Sequence, residues 1–301
     1  MKIDKAFLIV SIFDEKYIIM NFKNLVLFLL LSLFASSCKT NPFTGKKTMN
    51  MYGNDELFPM AFKQYDDFLN ENKVIVGTQN SKMITEVGQR IKMASERWLS
   101  VNGYEGYLKD YKWEYNLVDD KTVNAWCMPG GKIVFYTGIL PIAENETAVA
   151  TIMGHEVAHA LANHGGQRMT AGKLQQAAGT AIAIGTQIGG ASSQSQQLIM
   201  QAYGMGSQVG AMLPFSRSHE TEADKIGLVL MAIAGYNPEE APRLWERMKK
   251  NSGAGEPSEI LSTHPSNDSR IENLKKLVPF AKSEAKKFGI SSFRPIGNKI
   301  K

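Results

Sequence analysis

Glu144-Asn145-Glu146-Thr147-Ala148-Val149-Ala150-Thr151-Ile152-Met153-Gly154-His155-Glu156-Val157-Ala158-His159-Ala160-Leu161-Ala162-Asn163-His164 is the stretch from which the rest of the chain is read. It predicts a helix over 146–164, closed by Gly165-Gly166. Ala148 and Ile152 continue the face that carries His155, so the helix is expected to be buried. His155 and His159 are four apart and project from one face, roughly 6 Å from each other. Two neutral imidazoles at that spacing can grip one zinc ion. Glu156 stands beside the first of them, where a carboxylate can take the proton of a water held by the ion. A structurally satisfied histidine pair is the plainer alternative. A buried helix has little reason to carry two imidazoles and a carboxylate unless something pairs them. With five His in 301 residues, chance gives this pattern in below about 1% of such chains.

Zinc needs a third protein ligand. Ser216-Arg217-Ser218-His219-Glu220-Thr221-Glu222-Ala223-Asp224 supplies it on a second helix. Glu220 and Asp224 share a face, so Glu220 is the expected ligand. Asp224 is the expected acceptor for the free N–H of a ligand histidine. His219 is a weaker alternative, and Glu222 points about 200° away around the helix, as a solvent-facing or salt-bridging carboxylate would. Further out, apolar spacing predicts helices over 55–70, 81–98, 218–234, 238–250 and 268–281. Strands are expected over 112–118, 122–128 and 132–137, the last two hinged on Pro129-Gly130-Gly131. The segment 171–212, rich in Ala, Gly, Gln and Ser, reads as helices covering the cleft. Its Ala178, Ala181, Gly185 and Gly189 would permit close packing, and its glutamines argue against a membrane span. Cys127 reads as a buried apolar thiol. The expected fold class is α+β, a mostly helical single domain with a small antiparallel sheet. The composition is that of a globular protein, 44% hydrophobic and 21% charged, which excludes a disordered chain. A net charge of +5 is too diffuse to argue for nucleic acid.

The N-terminus reads as an address. A short basic region after Met20, about a dozen apolar residues and Ser36-Ser37-Cys38 form a leader over 1–37. Residues 1–19 fit poorly ahead of it, which favours Met20 as the start. The leader resembles that of bacterial lipoproteins, which implies lipidation at Cys38, a membrane tether and a periplasm-facing place in the bacterial cell envelope. Ala35, where Leu is usual, departs from that pattern. Residues 38–52 then read as lipidated Cys and linker, and 53–301 as the domain.

The run Gly154-His155-Glu156-Val157-Ala158-His159-Ala160, with His164 and Arg168, resembles the zinc peptidase family of the CAAX prenyl endopeptidases, HtpX and the Oma-type proteases. Ser216-Arg217, Glu220 and Ala223-Asp224 match that family's third-ligand helix. Asn124-Ala125 and Pro129-Gly130-Gly131 match its strand, and Thr263-His264-Pro265 with Arg270 its C-terminal motif. The resemblance covers about 50–280 and is strongest to soluble lipoprotein members. It implies a zincin-like domain holding one Zn2+ through His155, His159 and Glu220, with Glu156 as base and protein or peptide substrates. It further implies a second oxyanion donor, for which His264, Arg217 and Arg270 are the candidates, with His264 alternatively a displaceable fourth ligand, and Arg217 and Asp224 around the site. The strand carrying Asn124, Ala125, Pro129, Gly130 and Gly131 would pair with substrate backbone. His164 and Arg168 are expected to bridge to the Glu220 helix. The competing reading is a chaperone-like or binding lipoprotein with a latent zinc site. An intact Glu156 weighs against it.

Overall fold

The computed structural model describes residues 38–251, 259–265, 267–297 and 300; the leader expected over 1–37 lies outside them. The chain opens with a hairpin, β1 (Cys38–Thr40) and β2 (Lys47–Met49), paired from Cys38–Met49 to Thr40–Lys47. It continues through α1 (Asn54–Glu71), β3 (Val74–Ile75) and α2 (Gln79–Val101), then β4 (Glu114–Val118), β5 (Ala125–Met128) and β6 (Lys132–Tyr136). A 3-10 turn (Thr137–Ile139) and one helical turn, α3 (Leu140–Ala143), lead into α4 (Glu146–Leu161). Then come α5 (His164–Ile188), α6 (Ser193–Ser207), a π-helical turn (Gln208–Met212) and α7 (Leu213–Ile233). The chain closes with α8 (Glu240–Asn251), α9 (Glu259–Thr263) and α10 (Asp268–Lys287).

The fold is α+β and mostly helical, as expected, but the larger sheet is mixed. Its order is β3-β4-β6-β5, with β4 and β6 parallel and the other pairs antiparallel. The reason lies in β6. Its five residues are all buried, so it takes the centre of the sheet, between β4 and the hairpin partner β5. That leaves β5 on an edge. Gly130 and Gly131 make the tight reversal at φ +83° and +84°. A Cβ at either would also strike the Phe62 or Trp113 ring.

Helix α4 is the axis of the core. Every residue from Thr147 to Leu161 is buried, because small and apolar side chains face every direction. It packs on α2, α7, α8 and β5. The helix ends earlier than expected. Asn163 adopts a left-handed conformation (φ +55°) that breaks the run and caps α5, and Gly165 and Gly166 lie inside that next helix. Asn tolerates this backbone through local hydrogen bonding; its Oδ1 accepts from the Gly166 amide.

One further expectation changes. The linker 38–52 is in large part the β1–β2 hairpin, with Asn41 and Asn50 buried. Helices α5 and α6 form as expected over 171–212 and pack largely on each other, and α6 buries none of its residues. Gly179 lets the Tyr203 ring approach, and the Tyr203 hydroxyl donates to the Gln175 carbonyl. Among the described residues, no helix is long and apolar enough to cross a membrane.

Candidate metal centre

Helices α4 and α7 carry most of the polar cluster, and they cross where neither has a side chain. A Cβ on Gly154 would lie 2.8 Å from the Gly227 carbonyl oxygen, and one on Gly227 2.7 Å from the Gly154 carbonyl carbon. This backbone-to-backbone approach lies one residue before His155 and brings α7 alongside the imidazole pair. Both ends of α4 are fixed. The Asn145 side chain caps the Ala148 amide and donates to Glu240. The carbonyls of Ala160, Leu161 and Ala162 accept from Tyr111, Tyr107 and Gln167, which satisfies the open end of the helix.

His155, His159, Glu220 and His264 are all buried, and their ligand atoms lie within 4.8 Å of one another. His155 Nε2 is 3.1 Å from His159 Nε2 and 3.3 Å from Glu220 Oε2. His159 Nε2 is 3.4 Å from Glu220 Oε1. A tetrahedral zinc with arms of 2.0–2.1 Å needs donor separations of about 3.3 Å, so these three residues fit the ion. Glu220 Oε1 is buried and without a hydrogen-bond partner, which a metal would satisfy. His264 Nδ1 lies 3.2 Å from His155 Nε2 and 2.7 Å from Glu220 Oε2, a fourth donor on the same point. Glu156 is buried beside it, with Oε1 3.7 Å from His264 Nε2 and without a hydrogen-bond partner.

The two imidazoles of the pair are pushed in opposite directions: burial, with the neighbouring His155, holds His159 well below the ordinary imidazole range. Burial works against a charged His155, but Asp224 and Glu220 outweigh it and raise its pKa to about 9. Burial pushes Glu220 upward too, yet His155 and His264 hold it far below the ordinary carboxylate range.

Asp224 accepts where the sequence placed it, with Oδ1 3.0 Å from His155 Nδ1. Its guanidinium partner is Arg270 of α10, bound through Nη2 at 2.7 Å and Nε at 2.9 Å. The guanidinium carbon of Arg270 lies over the Trp245 ring of α8, 3.6 Å from its centre. Arg217, expected around the site, is exposed near the start of α7; Arg270 and Arg168 are the guanidiniums near Glu220, at 3.4 and 3.6 Å. Glu222 does face away from the metal donors, but it is buried under the N-terminal hairpin. His164 stacks on His219, with ring centres 4.0 Å apart, so α5 does bridge to α7. The strand residues Asn124 and Ala125 stand at the start of edge strand β5, which packs on α4. Cys127 is half-buried, and burial holds its thiol protonated.

The profile of peptidase family M48 matches residues 90–278, which span α4, α7 and the Arg270 turn of α10. The chain belongs to peptidase family M48. This bears out the resemblance to HtpX and the Oma-type proteases and makes the chain a member of a metalloendopeptidase family. It is similar to the mitochondrial metalloendopeptidase OMA1 of Schizosaccharomyces pombe, 35% identical over 62% of this chain and 51% of the relative. It is similar to the human mitochondrial metalloendopeptidase OMA1, 27% identical over 81% of this chain and 46% of the relative. The beta-barrel assembly-enhancing protease of Escherichia coli is 25% identical over 60% of this chain and 38% of the relative. The chain spans about half the length of the OMA1 relatives it matches. These relatives overturn the expected place in a bacterial envelope: those of higher identity are mitochondrial, and the bacterial one is more distant. A basic start followed by a dozen apolar residues describes a kind of segment, not a compartment.

Proposed function

We propose that this M48 chain is a zinc-dependent endopeptidase that hydrolyses peptide bonds in extended segments of protein substrates. The observation that carries it is the set of three donors, His155 Nε2, His159 Nε2 and the Glu220 carboxylate, spaced 3.1–3.4 Å apart. One Zn2+ held there would supply Lewis-acid polarisation of the scissile carbonyl and acidify a water. Glu156, one residue along the same helix, takes the proton of the attacking water and returns it to the leaving amine. Asp224 holds the Nδ1–H of His155 and so presents Nε2 to the donor set; Arg270 holds Asp224 by two hydrogen bonds. His264 turns a ring nitrogen toward Glu156 and is placed to steady charge developing on the substrate oxygen. Strand β5 lies at the edge of the sheet and packs on α4, and an extended peptide can add to it as a further strand.

The test is cleavage of an unfolded protein such as casein by the purified full chain. Cleavage that a chelator abolishes and added zinc restores supports the reading. Cleavage indifferent to the chelator, or equal in Glu156→Gln, contradicts it.

A further inference from the structure

The polar cluster continues past the metal donors, away from the reacting side. His159 turns its second ring nitrogen, Nδ1, to His164 Nδ1 at 2.8 Å. If His159 Nε2 faces a metal, its proton sits on Nδ1, and His164 Nδ1 must accept it. His164 then carries its own proton on Nε2. That nitrogen is buried, has no hydrogen-bond partner and faces Glu222 Oε2 at 3.7 Å. Glu222 is set in turn by the N-terminal hairpin. Its Oε1 accepts from Asn41 Nδ2 at 2.5 Å and from Thr44 Oγ1 at 2.8 Å, and Lys46 Nζ lies 3.6 Å from Oε2. The hairpin turn closes on itself. The Asn41 amide donates to the Lys46 carbonyl, the Gly45 amide to the Asn41 carbonyl, and the Phe43 amide to Asn41 Oδ1. Phe43 stacks on Trp98 of α2, which pins the turn to the body. The ring plane of His164 is fixed independently by stacking on His219, whose Nε2 donates to Gln167 Oε1 because the Gln167 amide is committed to the Ala162 carbonyl.

We propose that His164 and Glu222 are positioning residues for His159, and that the N-terminal turn, through Asn41 and Thr44, orients Glu222. The turn thereby tunes metal affinity at a site more than a hundred residues away along the chain. The inference rests on the zinc reading above. It adds that the hairpin belongs to the shell of the metal centre.

The test is zinc affinity of the metal-free full chain, measured by competition with a chromogenic chelator, with circular dichroism as a check on folding. Glu222→Gln is the sharpest variant. With Asn41 and Thr44 donating to the Gln carbonyl oxygen, its amide N–H faces His164 Nε2–H, donor against donor. His164 is then pushed to the other tautomer, against His159 Nδ1–H. Zinc affinity is expected to fall roughly 10–100-fold in Glu222→Gln and in His164→Ala, and in the same direction for Asn41→Ala with Thr44→Val. His164→Asn, whose Oδ1 can replace the accepting Nδ1, is expected to recover most of the loss. A merely structural histidine would not be rescued this way. Wild-type zinc binding with Glu222→Gln within about twofold of it, or His164→Asn no better than His164→Ala, overturns the inference and leaves the zinc reading standing. A wild type that takes up no zinc overturns both.

Discussion

At the scale of single residues, Glu156 and Asp224 do different work and can be separated. Glu156→Gln keeps size and burial but removes the base. It is expected to lower kcat by roughly 10²–10⁴-fold while zinc content stays at the wild-type level. Asp224→Asn leaves the base and loosens His155; zinc affinity is expected to drop roughly 10–100-fold, read by chelator competition. Wild-type affinity in that variant would show that Asp224 only packs. The two histidines, and Asp224 with Glu220, were legible in the sequence because helical periodicity places residues four apart on one face; Glu156 was legible from its place beside His155. Arg270 as the partner of Asp224, and Trp245 beneath it, were not legible in that role. They arrive from α10 and α8, and no local spacing records which distant guanidinium meets which carboxylate. Arg217 fails for the complementary reason: being near Glu220 in sequence, it lies on the part of α7 that reaches into solvent.

At the scale of elements, the site depends on how closely α4 and α7 approach. Gly227→Ala forces a methyl into the Gly154 backbone, which cannot give way as a flexible side chain would. A loss of about 1–3 kcal/mol is expected, measured by denaturant unfolding, together with weaker zinc binding because Glu220 and Asp224 move with α7. An unchanged midpoint would mean the crossing is not tight. Asn145→Ala removes the cap of α4 and a bond to Glu240, with an expected cost of about 0.5–2 kcal/mol. The start of α4 falls at Glu146, where the sequence reading put it, and the Asn145 side chain caps it there. Its end was not legible, because the Gly-Gly pair looked like the stop while Asn163 supplied the left-handed turn two residues earlier. The sheet was legible as strands but not as an order, since pairing a strand with a later parallel neighbour is a tertiary choice made by the burial of β6.

At the scale of the whole molecule, histidines 264, 155, 159, 164 and 219 form one run of contacts through the centre of the domain. The run draws on residues from the N-terminal hairpin to α10. An ion bound at its middle stabilises only the folded chain. Removing it with a chelator is therefore expected to lower the melting temperature, and adding zinc to restore it, by calorimetry. A composition-level reading assigned 38–52 to a linker because its residues are polar. In the fold those polar groups are used: Asn41 and Thr44 donate to Glu222, and the Met51 amide donates to Thr170 Oγ1. The most direct measurement is the zinc content of the purified full chain by elemental analysis, for wild type, Glu156→Gln and Glu220→Gln. One zinc in wild type and Glu156→Gln, with loss in Glu220→Gln, is the expected result. No zinc in the wild type, or undiminished zinc without the Glu220 carboxylate, would contradict the metal centre described here.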